Sequence, residues 1–111
     1  MNEPCYADTV DGKKLIVVCR DAAHQRVLHT LGARRWLLSS NWTVPYSSYE
    51  ELARIFRTLR DAEFSFLETP AGWPAAAMFE LLSEKGLIGG SYQAITWRGP
   101  GDFVVTTRHC L

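Results

Sequence analysis

Cys19, Asp21 and His24 lie within six residues, where a run of apolar residues gives way to a helical pattern. A thiol just ahead of a helix N-terminus is biased toward the thiolate, because free backbone N–H groups and the helix dipole favour negative charge there. Asp21 is placed to cap that helix, its carboxylate accepting from backbone N–H groups two or three residues on. His24 shares an apolar face with Val27, Leu28 and Leu31. The trio is therefore a candidate reactive thiol or small pocket. The competing reading is structural: Cys19 as a small core residue and His24 as a satisfied core histidine. His29 falls on a different face from His24, so the two do not form a helical metal pair. His109-Cys110 and the distant Cys5 show no CxxC or HxxxH spacing. No metal and no cofactor is expected.

The position of Cys19 resembles the phosphate-binding cysteine loops of protein phosphatases. Those loops carry an arginine six residues after the cysteine, where this chain has Gln25, with Arg26 one step later. Glycines that would turn backbone N–H groups onto a phosphate are also missing. A second candidate is aromatic. Of the four tryptophans, Trp36 and Trp97 fall in expected strands, whereas Trp42 and Trp73 fall in expected loops beside Pro45-Tyr46 and Pro74. Loop aromatics next to prolines either cap the ends of a core or present a contact surface. Trp42, Tyr46 and Trp73 are accordingly the candidate binding residues. Arg54, Arg57 and Arg60 share their helix with Glu50 and Asp61, which reads as a solvated, paired face rather than a basic patch.

The elements that must position these residues have clear boundaries. Residues 1–12 are polar and end in the turn signal Asp11-Gly12. Leu15–Cys19 reads as a strand covered on both faces. A helix follows from Asp21 to Gly32, and a second strand, centred on Trp36-Leu37-Leu38, runs from Arg35 to Ser39. Residues 40–47 read as a loop. Ser48 with Glu51 forms a capping box ahead of the stripe Leu52, Ile55, Phe56, Leu59. Phe64–Leu67 is a third strand and Thr69–Gly72 a loop. Pro74 opens a helix that Gly86 closes. Tyr92–Trp97 and Phe103–Thr107 pair as a hairpin around Gly99-Pro100-Gly101. The order β-α-β-α-β-α-β-β predicts a single α+β domain over residues 1–111. It has a mixed sheet of about five strands with helices packed on it, and the first βαβ unit is expected to be parallel.

The segment Met78–Ile88 followed by Tyr92 and Ile95-Thr96 resembles the end of a winged-helix regulator, in which a recognition helix ends in Gly-Leu-Ile and leads into a β-wing. That resemblance implies DNA binding through residues 74–107. Here the helix is Ala-rich and acidic with Lys85 its one base, and Thr69–Trp73 leaves no room for a preceding helix. Half or more of protein–DNA hydrogen bonds go to phosphate and sugar, for which such a helix offers little.

Composition sets the outer bounds. Twelve basic and twelve acidic residues cancel. A neutral chain lacks the field of nucleic-acid binders and the repulsion that keeps copies apart. No apolar run approaches the roughly 20 residues that span a bilayer. Three widely spaced cysteines do not form a disulfide framework, and the start of the chain does not read as a signal peptide. A reduced, cytoplasmic setting is expected, and the Asn41-Trp42-Thr43 sequon carries no meaning there. The sequence points to a non-enzymatic binding or adaptor protein whose partners are proteins, itself included as a homodimer. The alternatives are a DNA-binding regulator, or a small enzyme or ligand-binding protein with its site at the strand ends near Cys19.

Overall fold

The computed structural model describes residues 4–35, 39–68 and 73–110. Among the described residues seven strands and three helices follow one another: β1 (Tyr6–Asp11), β2 (Lys14–Val18), α1 (Ala22–Thr30), β3 (Arg34–Arg35), β4 (Asn41–Pro45), α2 (Tyr49–Asp61), β5 (Ser65–Leu67), α3 (Ala75–Glu84), β6 (Gly90–Gly99) and β7 (Asp102–Cys110). All seven strands join one mixed sheet in the order β3-β4-β2-β1-β5-β6-β7. β5 runs parallel to both β1 and β6, and the remaining pairs are antiparallel. The α+β class, the C-terminal hairpin and the packed helices are as expected, with two strands more than the sequence suggested. β2 and β3 are parallel, as expected, with β4 inserted between them. The centre expected for the second strand, Trp36–Leu38, and the loop Thr69–Gly72 lie outside the described residues.

The helix boundaries follow local chemistry. The Asp21 carboxylate accepts from the Ala23 N–H, and the Ser48 hydroxyl accepts from the Glu51 N–H at 3.1 Å. Glu51 does not complete the box; its carboxylate accepts from Ser47 instead. All three helices end alike. The residue after the C-cap turns left-handed, its N–H returns to the carbonyl three residues back, and the next N–H returns five residues back. Gly32 and Gly86, both at φ 75°, take that turn for α1 and α3 without steric cost. After α2 it falls to Glu63 at φ 67°, whose N–H reaches Arg60 O while Phe64 N–H reaches Leu59 O. A side chain in the left-handed region costs roughly 1–2 kcal/mol. Glu63→Gly is therefore expected to raise the unfolding free energy by up to about 1 kcal/mol, read as a shift of the urea midpoint. A loss of stability would mean that the Glu63 side chain holds the turn.

The core lies on one side of the sheet. Leu28 of α1, Leu52, Ile55, Phe56 and Leu59 of α2, and Met78, Phe79 and Leu82 of α3 form one buried cluster with Leu15, Val17, Trp42, Val44, Phe66, Tyr92 and Ala94. The strand members share one face, as the register pairs Leu15–Val44, Val17–Trp42 and Phe66–Ala94 require. β2 is thus covered on one face, not two: Leu15 and Val17 are buried, whereas Ile16 and Val18 on the other face are half-buried. The expectation of double coverage fails because no described helix lies on that second face. Phe56, Phe66, Phe79 and Tyr92 form the centre of the core, with ring centroids 4.2 to 6.1 Å apart.

Two expectations of loop give way to strand. The polar segment 1–12 contains β1, the central strand, and residues 40–47 contain β4. A bulge between Ala7 and Thr9 shifts the alternation of β1, so Ala7 and Val10 both reach the core face. Beyond Ala7 the edge facing β5 is taken up by Trp73-Pro74, through Val10 N–H to Trp73 O at 3.1 Å and a bridge between Thr9 and Pro74.

Candidate functional site

The fold does bring Cys19, Asp21 and His24 together. Cys19 follows β2 with 1% exposure, and its Sγ meets Cys5 Sγ at 2.7 Å and Asp21 O at 3.6 Å. Burial, and then the hydrogen bond to Cys5, push its thiol up to about 12. The helix-dipole argument for a thiolate is therefore overridden by desolvation. His24 Nδ1 pairs with the Asp21 carboxylate, and its ring packs edge-on to Phe64 at 5.2 Å. That pairing, joined by the Ala23 N–H, holds the exposed Asp21 carboxyl below its ordinary value. This is the chemistry of a helix cap. The group also sits at the N-terminal ends of the parallel strands β1, β5 and β6, whereas open α/β sheets place sites outside the carboxyl ends of such strands.

The aromatic trio separates. Trp42 is not a loop residue: it lies in β4, is 2% exposed, and is packed by the edge of His29 at 5.1 Å with the Arg35 guanidinium 6.0 Å from its ring. It belongs to the core and is withdrawn from the candidate surface. Tyr46 is half-buried and donates to Gly12 O at 2.7 Å, closing the β1–β2 turn against the end of β4. Trp73 alone of the three is a large exposed apolar group, at 56%. The helical arginines are engaged: Arg57 and Arg60 donate to the carbonyls of Leu87 and Gly89, tying the chain after α3 along α2.

One cluster had no signal in the sequence. Tyr92 donates to Glu80 Oε1 at 2.8 Å, Cys110 to Glu80 Oε2 at 3.4 Å, and Arg108 grips Glu68 through Nε at 3.1 Å and Nη2 at 2.7 Å. Burial first, then the Glu80 hydrogen bond, raise both the Tyr92 phenol and the Cys110 thiol. Both stay protonated donors, so the cluster clamps β7 to α3 and to the end of β5. Its members are scattered from 68 to 110 and meet only through the sheet order. Beside it, a cleft of 340 Å³ is lined by Arg60, Glu63, Phe64, Ser91, Tyr92 and Gln93. Small-molecule sites are mostly apolar with a few polar groups; four of these six side chains are polar or charged. Among the described residues no group of three or more His, Cys, Asp and Glu is placed to hold a metal ion, and no helix is long and apolar enough to cross a membrane.

An apolar row lies on the second face of the sheet around the β6–β7 hairpin. Register places Leu67, Ile95 and Val105 in one row, with Trp97 and Phe103 paired beside it. Leu67 and Ile95 are buried but stand apart from the main core. The rings of Tyr6 and Trp97 meet at 5.9 Å across β5, and Phe103 lies 5.4 Å from Trp97. The buried Nε1 of Trp97 has no acceptor among the described residues. Val105 is 40% exposed. Next to this face runs β7, nine residues that among the described residues are paired on one side only. At the opposite edge, β3, the described residues are Arg34 and Arg35. Short, charged edges resist further pairing, while a long edge without Pro or Lys invites it. β7 is an edge of the second kind. The sequence signal was present in Phe103–Thr107, read there as half of a hairpin with no account of its outer side.

No protein-family model matches the chain, and no curated protein or solved structure shows significant similarity to it.

Proposed function

We propose that this chain is a protein-binding module that acts by contact rather than by catalysis, through the free edge of β7 and the aromatic face beside it, and that the occupant of this surface is a second copy of the chain. The observation that carries the reading is the nine-residue β7 edge, which among the described residues has no strand on its outer side and no Pro or Lys along its length. Charge complementarity selects the occupant. β7 is acidic at its start (Asp102) and basic toward its end (Arg108, His109). Antiparallel self-pairing about Val105 sets Asp102 of each copy opposite Arg108 of the other, whose guanidinium also holds Glu68 of its own chain, and Phe103 opposite Thr107. Opposite charges on facing strands favour that register. The two aromatic faces then run on as one, and the zero net charge leaves no long-range repulsion between copies. Backbone hydrogen bonds supply affinity in such strand addition and the side-chain rows supply register. The alternative of DNA recognition finds little support: α3 turns its stripe Ala75, Met78, Phe79 and Leu82 into the core, and β5 separates it from α2.

Sedimentation across a concentration series tests this. The wild type is expected to pass from monomer to dimer, and Val105→Lys, which puts a charge at the centre of the edge, is expected to weaken association at least tenfold with an unchanged circular dichroism spectrum. A wild type that stays monomeric throughout the series, or a variant that dimerises equally well, overturns the reading.

A further inference from the structure

We propose that Cys5 and Cys19 constitute a modification site, a dithiol that a low-molecular-weight disulfide of the glutathione class converts to an internal Cys5–Cys19 disulfide. The proposal is independent of the contact surface on β7.

Cys5 immediately precedes β1, and Cys19 immediately follows β2. Tyr6 pairs with Val18 in the antiparallel register, so one further step sets Cys5 opposite Cys19. Facing residues of antiparallel strands have Cα atoms about 4.5–5.5 Å apart, inside the roughly 4.4–6.8 Å that a disulfide spans. The two sulfurs are already in contact at 2.7 Å. The backbones that hold them are fixed from both sides. Cys19 N–H donates to Ser40 O at 2.8 Å, and Cys5 O accepts from Ser65 N–H at 3.0 Å. Bridging therefore asks for rotation of side chains, not movement of strands. The third thiol, Cys110, is engaged with Glu80 on β7, separated from β1 by β5 and β6, and does not compete.

The chemistry closes without a further reagent. The Cys5 sulfur, in the more exposed of the two residues at 5% against 1%, attacks the small disulfide as a thiolate. Its proton leaves with the first released small thiol, and a mixed disulfide remains on Cys5. The Cys19 sulfur then attacks the Cys5 sulfur, and the second small thiol departs with the Cys19 proton. Two protein thiols are oxidised, and the sulfur–sulfur bond of the reagent is reduced to two thiols. Cys19 acts second because burial keeps it protonated until an activated sulfur lies beside it.

The test is incubation of the native, reduced protein with oxidised glutathione. It is followed by thiol titration in denaturant, intact mass and non-reducing peptide mapping. The titre is expected to fall from three thiols to one, with the loss of two hydrogens and a mapped Cys5–Cys19 link. Cys110→Ser should end with no free thiol, and Cys5→Ala should form no internal link. A stable glutathione adduct without a bridge, a bridge through Cys110, or bridging only after unfolding in urea would each overturn the proposal. The wild type and Cys110→Ser decide it even where Cys5→Ala does not fold.

Discussion

Phe79→Ala is expected to lower the free energy of unfolding by about 3–5 kcal/mol, the range for removing a fully buried aromatic side chain. Phe79 has no exposed surface, and its ring stacks on Tyr92 at 4.2 Å, meets Phe66 edge-on at 5.3 Å and lies 6.1 Å from Phe56. Those three partners come from β6, β5 and α2, so the ring joins three elements to α3. The lost burial and the cavity left behind add, because backbones held by a sheet and two helices cannot collapse into the space. Small domains are stable by only about 5–15 kcal/mol, so the variant sits near the edge of folding. Guanidinium titration of Phe79→Ala against Phe79→Leu checks it, with the leucine variant expected to retain more than half of the lost stability. A cost under about 1.5 kcal/mol for the alanine variant, the scale of a tolerated volume-conserving swap, would be incompatible with this packing.

The second large effect follows from the paired thiols. Closing the Cys5–Cys19 bridge ties a loop of about 15 residues, which in the chain-entropy account is worth about 3 kcal/mol. The effect acts on the unfolded chain, since the sulfurs of the folded one already touch. The oxidised protein is expected to show a higher guanidinium midpoint and a slightly smaller slope, because a cross-linked unfolded chain exposes less surface. Reduction with dithiothreitol should restore the original curve. An oxidised form less stable than the reduced one would mean that the bridge strains β1 against β2.

The helices were legible because their signals are local. Asp21, Ser48 and Pro74 mark the starts, and Gly32 and Gly86 the ends of α1 and α3. The end of α2 lacked its glycine, and Glu63 takes the left-handed turn instead. β1 escaped notice because Tyr6–Asp11 is polar and its bulge breaks the alternation by which a strand is recognised. β4 alternates well, with Trp42 and Val44 inward and Asn41 and Thr43 outward, but Pro45 argued for a loop. That error carried Trp42 into the candidate surface. The candidate site was half legible. Cys19, Asp21 and His24 are neighbours in the chain, whereas Cys5 joins them only because β1 and β2 are antiparallel. The Glu68–Arg108 and Glu80–Tyr92 contacts, like the exposure of one sheet face, depend on strand order, which no single segment encodes.

The two halves of the sheet meet along a narrow seam. β1 touches β5 at only two paired positions, Tyr6–Ser65 and Ala7–Phe66. Everything on one side of that seam is built from residues 6–45 and everything on the other from residues 65–110. A ribosome delivers the first half complete. Its four strands pair within a short stretch of chain, so they can assemble while the rest is still being made. Until residue 67 emerges, the outer side of β1 is an open edge on the nascent chain. The order of synthesis thus makes β1 the last strand of the first half to be closed off, and the arrival of β5 joins that half to the one that β6 and β7 later complete.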